Sequence, residues 1–267
     1  MRLAIISDVH SNLEALRSVL ADIGRRGIER VVCLGDVVGY SCFPRETVAL
    51  IRERGIPTVQ GNHDLMAIGA LEPDRCGPNA RKAILWTRPR LTDEDREFLR
   101  ALPGHLVLDA ELLLVHSCLG DPVMRLGRLE EYVAQRDVVA RFDPRIRVCF
   151  SGHTHVPALL AIGRDGGVTR LPARRVRLGD DAFYFVNPGS VGHPRGADYR
   201  AQYATFDVPT RTVQFHRVRY DVRKVARENA RHDVETDLGN PVLSRYRRQV
   251  AFTVRRAINR ALRNGRE

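Results

Sequence analysis

The stretch VCFSGHTHVP, residues 148–157, carries the reading of the fold. Val148, Cys149 and Phe150 form a short apolar run suited to a buried strand, and Ser151 and Gly152 close it. Two histidines, His153 and His155, then straddle one threonine, with Pro157 just beyond. Taken singly, a polar residue at a strand end serves in capping or turn chemistry. Two imidazoles at i and i+2 ask for something to coordinate, and the rest of the chain supplies partners.

The same construction recurs upstream. RLAIIS (2–7) reads as a strand running into Asp8 and His10. Leu13, Leu16, Leu20 and Ile23 then recur at helical spacing, and Ser11 with Glu14 predicts a capping box for that helix. VVCLG (31–35) is a second strand ending at Asp36, and ETVALIRERG (46–55) a second helix closing on Gly55. IPTVQG (56–61) reads as a third strand, ending at Asn62 and His63, and ELLLVHS (111–117) as another with His116 at its end. RLTDEDREFLRALPG (90–104) is a separate helix, with Thr92 and Asp95 as capping box and Pro103-Gly104 as stop. Alternating strands and helices predict an α/β fold. From about residue 167, VTRLP, AFYFVN, QYATFDV and TVQFHRV predict a second, largely antiparallel sheet. Residues 221–233 and 241–264 read as helices.

The 267 residues are 43% hydrophobic, enough for a substantial core. They contain no apolar run of about 18 residues, which excludes a transmembrane helix. The opening MRLAIISDVH has too short an apolar core for a signal peptide. Five scattered cysteines without a CxxC pair agree, and cytoplasmic placement is expected; Cys33 and Cys149 read as buried hydrophobes. Net charge is +11, of which residues 245–267 carry +7, eight arginines against Glu267. There Val250, Val254, Ile258 and Leu262 form one apolar stripe on an arginine-rich helix. Such a helix either packs on the body with its arginines in water, or binds nucleic acid or a membrane surface. The expected organisation is a domain over 1–220 with a basic helical extension, 221–267, packing on it.

Just past five strands, then, stand Asp8, His10, Asp36, Asn62, His63, His116, His153 and His155. Ligand sites in α/β sheets lie outside the carboxyl ends of the strands, so these side chains should converge on one rim. Setting His63 aside, four imidazoles, two carboxylates and an amide oxygen are too many for one tetrahedral ion. They suit two divalent ions bridged by a shared carboxylate and water. Without a thiolate, the set favours Mn²⁺, Fe or Zn²⁺ over softer metals. Two anionic ligands against two dications leave about +2, which attracts a phosphate dianion and lowers the pKa of a bridging water towards about 7. Gly35, Gly61 and Gly152 would allow close approach.

Read in order, DVH, GDVVG, GNHD, His116 and GHTH resemble the signature of the calcineurin-like metallophosphoesterases. NPGSVGHPRG (187–196) resembles the segment that follows in bacterial members related to diadenosine tetraphosphatase and small phosphodiesterases. The resemblance covers roughly residues 1–220 and implies a four-layer α-β-β-α sandwich holding a dinuclear centre. It implies Asp8, His10 and His155 on one metal, Asn62, His116 and His153 on the other, and Asp36 bridging. Manganese is the favoured ion, with Fe, Zn²⁺, Ni²⁺ and Mg²⁺ as alternatives. His63 would be the acid or transition-state partner, and Tyr40, Asn187 and Arg195 are candidate substrate contacts. The implied activity is hydrolysis of phosphate esters by a metal-bridging hydroxide, on a phosphorylated small molecule or nucleotide. Protein phosphatases of this superfamily carry an Asp and an Arg shortly after the bridging Asp, where this chain has Gly39 and Tyr40. That favours a phosphodiesterase or a nucleotide or polyphosphate phosphohydrolase over a protein-phosphatase-like phosphomonoesterase. A non-catalytic scaffold on the same fold is expected to lack ligands, and none of the seven is missing. A nuclease using the basic tail is a third reading. His105, His193, His216 and His232 are expected at the surface or in turns.

Overall fold

Alternation along the strands sets the layers. In the computed structural model, which describes residues 1–195 and 198–234, the strands are β1 (Arg2–Ile6), β2 (Arg30–Cys33), β3 (His105–Leu108), β4 (Leu112–Val115), β5 (Val148–Ser151), β6 (Ala158–Gly163), β7 (Val168–Leu171), β8 (Val176–Arg177), β9 (Ala182–Asn187), β10 (Ala201–Asp207) and β11 (Thr212–Val218). The α-helices are α1 (Leu13–Arg25), α2 (Pro44–Glu53), α3 (Asn62–Ala67), α4 (Pro78–Thr87), α5 (Asp93–Ala101), α6 (Leu129–Phe142) and α7 (Val222–Arg231). One sheet has the order β2-β1-β10-β11-β8 and the other β3-β4-β5-β9-β6-β7.

Successive side chains of a strand face opposite ways, and here both faces are apolar. In β1, Ala4 and Ile6 pack with Leu16, Val19 and Ile51 of the first two helices. Leu3 and Ile5 pack instead with Leu114, Val148 and Phe150 of the other sheet. That sheet's remaining face, with Leu113, Val115 and Cys149, packs on Val139 of α6. The layers are therefore helix, sheet, sheet, helix, as the resemblance implies.

The structure revises three local expectations. The late strands do not form a sheet of their own. β10 pairs antiparallel with β1, Leu3 opposite Phe206, and β9 pairs parallel with β5, Phe150 opposite Val186. Both are buried along nearly their whole length, so each needs a covered central position, which the two sheets begun upstream supply. IPTVQG is not a strand but an extended segment bridged to β2 only at Cys33 and Thr58. Pro57 brings no N–H to extend the ladder, and Gln60 turns its own to the Pro103 carbonyl, 2.8 Å. The α1 cap is Asn12, whose Oδ1 accepts from Ala15 N at 3.1 Å, not Ser11. Ser11 Oγ accepts from Gly39 N at 3.1 Å, and Glu14 pairs with Lys224 at 2.7 Å. The α5 capping box of Thr92 and Asp95 forms as expected.

Helix α7 lies against the first helical layer. Lys224 meets Glu14, and Asn229 Oδ1 accepts from Cys42 N at 3.0 Å. Just past its end, the His232 carbonyl accepts from Trp86 Nε1 at 2.8 Å. The second predicted helix, 241–264, with its apolar stripe and its nucleic-acid reading, lies outside the described residues. Among these, no helix is long and apolar enough to cross a membrane.

His216 is a further correction: it is buried on β11, its ring stacked on Tyr203 at 4.6 Å and its Nε2 3.0 Å from Thr205 Oγ1. Burial, with the Arg26 charge next, pushes its pKa down to about 4. The unfolded chain, near 6.5, binds this proton more readily, so the contribution is present above 6.5 and lost as pH falls towards 4. His216→Gln is expected to flatten the loss of stability between those values, as measured by urea unfolding of both proteins across that range.

Candidate metal centre

Five of the candidate ligands sit in left-handed backbone: Asp8 at φ 54°, His10 at 51°, Asp36 at 53°, His153 at 62° and His155 at 61°. For residues other than glycine this costs on the order of 1–3 kcal/mol each unless the surroundings enforce it. Here the loops after β1 and β2 are laced together, Asp8 N to Gly35 O at 3.0 Å and His10 N to Asp36 O at 2.9 Å. The turn after β5 is held in turn by Gly152 N to His116 O, 2.7 Å, and by His153 N to Asp8 Oδ2, 3.1 Å. A Cβ on Gly61 would strike the backbone N and Oδ1 of Asp36, and one on Gly152 would strike Ser7 Oγ. These two positions admit only glycine. Asp64, which has no strand end or spacing to mark it in the sequence, locks GNHD onto the loop after β2. Its Oδ1 accepts from Val37 N and Val38 N at 2.9 and 3.2 Å, and its Oδ2 from Gly61 N at 3.0 Å.

These loops bring the strand ends of both sheets together, rather than one rim of a single sheet. The donor atoms fall into two clusters, Asp8 with His10, Asp36 and His155, and Asp36 with His116 and His153, each within 4.8 Å. Asp36 belongs to both. Asn62 Oδ1 lies 2.9 Å from His116 Nε2 and 3.0 Å from His153 Nδ1.

Backbone carbonyls decide what these rings can do. His10 Nδ1 faces Val38 O at 3.2 Å, His155 Nδ1 faces His193 O at 2.6 Å, and His116 Nδ1 faces Leu34 O at 2.8 Å. A carbonyl only accepts, so each Nδ1 carries the hydrogen and each neutral ring turns a bare Nε2 lone pair inward. His10 Nε2 and His155 Nε2 stand 3.1 Å apart, with Asp8 Oδ1 3.3 Å from the latter and Asp36 Oδ2 3.6 Å from the former. Four acceptors facing one another fit a cation, and the nitrogen and oxygen mixture fits a divalent one.

The charge states agree for His10 and His155, and His116 is the exception. Burial lowers the affinity of His10 and His155 for protons well below the usual imidazole range, and burial followed by the His116 charge takes His153 to about 3. Burial pushes the Asp8 carboxyl up to about 7. Burial acts the same way on Asp36, but His116 and His63 outweigh it and hold that carboxyl well below its ordinary range. His116, despite burial, is raised to about 9 by Asp36. Without a cation the shared carboxylate thus keeps one imidazolium beside it.

His63 borders the clusters from the start of α3. Its backbone N donates to Asp36 Oδ1 at 2.8 Å, and its ring centre lies 4.7 Å from that of His10 and 5.0 Å from that of Tyr40. Among the described residues its buried Nδ1 has no hydrogen-bond partner. Gly39, at φ 99°, makes room for that ring: a Cβ there would lie 2.5 Å from His63 Nδ1. Where an orienting carboxylate could stand, Tyr40 stacks on His193 at 4.2 Å and 4°. His193, expected at the surface, is 8% exposed. Its only signal in the sequence was its place in NPGSVGHPRG. Asn187 Nδ2 donates to Gly152 O at 2.6 Å and to Thr154 Oγ1 at 3.1 Å, and its Oδ1 accepts from Gly189 N at 2.9 Å, so its amide shapes the GHTH turn. Arg195 is exposed, its N 3.4 Å from His155 O, and its charge adds to burial in lowering His63 and His155.

Residues 1–211 match a family model described as the calcineurin-like phosphoesterase superfamily domain. The chain is 37% identical over 227 residues to the uncharacterized protein MJ0912 of Methanocaldococcus jannaschii, spanning 83% of this chain and 89% of that protein. It is also similar to a crystal structure of a metallophosphoesterase from Sphaerobacter thermophilus, at 35% identity and a TM-score of 0.76, covering 91% of this chain and 99% of that one. The hypothetical protein PH1004 from Pyrococcus horikoshii OT3 shares the fold, with a TM-score of 0.70 at 22% identity over 89% of this chain and 95% of that one.

Because Asp36 alone belongs to both clusters, Asp36→Asn is expected to weaken Mn²⁺ binding roughly tenfold or more, ~1.4 kcal/mol, and more than Asp8→Asn does. Titration calorimetry on chelator-stripped protein makes the comparison. A larger loss in Asp8→Asn would mean that Asp36 is not shared.

Proposed function

The chain belongs to the calcineurin-like phosphoesterase superfamily, and from that premise we propose a phosphodiesterase or a nucleotide or polyphosphate phosphohydrolase that works with two divalent cations. Membership makes it a metal-dependent hydrolase of phosphate esters. The observation that carries the finer reading is the pair of adjacent donor clusters sharing Asp36. When bound, the cations would supply Lewis acidity and a water acidic enough to act near neutral pH, with Mn²⁺ preferred and Fe, Zn²⁺, Ni²⁺ and Mg²⁺ as alternatives.

The chain's own residues have distinct tasks. Asp8 and Asp36 offer only two negative charges, which leaves the pocket cationic and attractive to phosphate. His10, His116 and His155 are aimed by carbonyls, and of the three only His116, the imidazolium beside Asp36, must give up a proton to hold a cation. His63 contributes a hydrogen bond or proton to the leaving oxygen, and Arg195 orients the phosphoryl group. Tyr40, with its aromatic neighbours in place of the Asp and Arg of protein phosphatases, suits a nucleoside or aryl substituent better than a phosphorylated peptide. All five cysteines are free thiols, in keeping with a reducing, cytoplasmic setting.

Chelator treatment is expected to abolish hydrolysis of aryl phosphates and Mn²⁺ to restore it. A panel of mono- and diester aryl phosphates, cyclic nucleotides and dinucleoside polyphosphates then ranks substrates. Full turnover by metal-stripped protein would overturn the reading. His63→Ala is expected to keep its Mn²⁺ while losing about 10²–10⁴ in turnover, with a smaller loss for nitrophenolate than for an alkoxide leaving group. Equal losses on both would assign His63 to charge stabilisation on the phosphoryl group, and loss of metal would make it a ligand.

A further inference from the structure

Asp8, His10 and His155, the donors particular to the first cluster, come from loops of different sheets. A third segment, Ser190 to His193 between β9 and β10, holds those loops in register. Ser190 is fully buried, and its carbonyl accepts from Gln202 N of β10 at 2.9 Å, which fixes its backbone to the sheet. Its hydroxyl is used twice. It donates to the Asp8 carbonyl at 2.8 Å and accepts from His193 N, also at 2.8 Å. The His193 carbonyl in turn accepts from His155 Nδ1 at 2.6 Å. A single side-chain oxygen therefore ties the backbone of one candidate ligand to the carbonyl that aims the ring of another.

His10 joins the same chain of contacts through an aromatic ring. Tyr40 stacks on His193 at 4.2 Å and packs edge-on against His10 at 4.7 Å. The backbone around Ser190 has no slack. Gly192 N also donates to the Asp8 carbonyl, at 3.0 Å, and Val191 N to the Ser7 carbonyl at 2.9 Å, while a Cβ on Gly192 would strike the Val9 carbonyl. Between an acceptor on one side and a donor on the other, only an atom that both gives and takes a hydrogen bond serves, and a hydroxyl is such an atom. The second cluster is held by other means: Leu34 O accepts from His116 Nδ1 at 2.8 Å, and Asn62 Oδ1 stands 3.0 Å from His153 Nδ1.

We propose that Ser190 is a positioning residue for the cation held by Asp8, His10 and His155, and that it acts on that site rather than on the one at Asn62, His116 and His153. The inference rests on the two-cation reading and adds to it the residue that sets the geometry of one site.

Two readouts separate positioning from plain stability. In chelator-treated protein at neutral pH, the buried His155 Nδ1 proton is expected as a downfield, slowly exchanging imidazole resonance in ¹⁵N-correlated NMR, assigned by its absence in His155→Gln. In Ser190→Ala it is expected to move upfield and exchange faster, while the His116 Nδ1 proton keeps its position. In calorimetric titration with Mn²⁺, Ser190→Ala is expected to weaken one of two sites by about 10–100-fold and to leave the other near the wild type. Ser190→Cys fills the same space with a weaker donor and acceptor, so it is expected to fall between the two, and it replaces the alanine variant if that does not fold. Val213→Ala, in the inter-sheet core at the end of the strands remote from the metal centre, is expected to lower the Tm without moving either readout. An unmoved His155 resonance in Ser190→Ala, or Mn²⁺ binding weakened equally at both sites or at neither, would overturn the proposal. If the wild type binds a single cation, the two-cation reading fails while the His155 resonance still judges Ser190.

Discussion

His10 Nε2 and His155 Nε2 direct lone pairs at each other across 3.1 Å: burial keeps both rings neutral, and the carbonyls on their far nitrogens hold the one hydrogen of each. This is the constraint on which the rest depends. Such a contact is tolerable only where a positive charge can stand among the atoms, and it must be enforced by a framework that will not relax. The framework is the double sheet. β1 and β2 bring Asp8, His10 and Asp36 from one side, and β4 and β5 bring His116, His153 and His155 from the other. The inter-sheet core of Leu3, Ile5, Leu114, Val148 and Phe150 fixes their separation.

Local strain is the counterpart of that rigidity. Asp and His tolerate the left-handed region better than branched residues do, because short polar side chains bond nearby backbone. The residue types that supply donor atoms therefore also ease the turns that aim them. Asp64 and Asn187 work one step further out, each satisfying several atoms of the turns that carry the ligands.

Most of this was legible in the sequence, for a physical reason. A short apolar run followed by a polar donor is a local pattern, and it located seven residues that the fold gathers together. The four-layer architecture came from the resemblance, and the strand alternation agrees with it. What could not be read was non-local pairing. AFYFVN and QYATFDV announce themselves as strands, but nothing in them says that β9 joins β5 or that β10 joins β1. The burial of His193 is hidden for the same reason: it stacks on Tyr40, more than 150 residues earlier in the chain. Ser11 and the adjacent Asn12 offer equally good capping chemistry in the sequence, and the choice of Asn12 is made by the contact of Ser11 with Gly39.

The pairing of β1 with β10 has a consequence for biosynthesis. Leu3 lies opposite Phe206, and the Asp8 carbonyl is bound by Ser190 Oγ and Gly192 N, so the first loop is seated by segments made nearly 200 residues later. Asp8 and His10 leave the ribosome before any other candidate ligand and are among the last to be fixed. A nascent chain holding GDVVG, GNHD and GHTH but not yet β10 has its donors without the geometry to aim them. Assembly of the donor clusters thus waits until the chain has been made through β10, since long-range strand closure must come first.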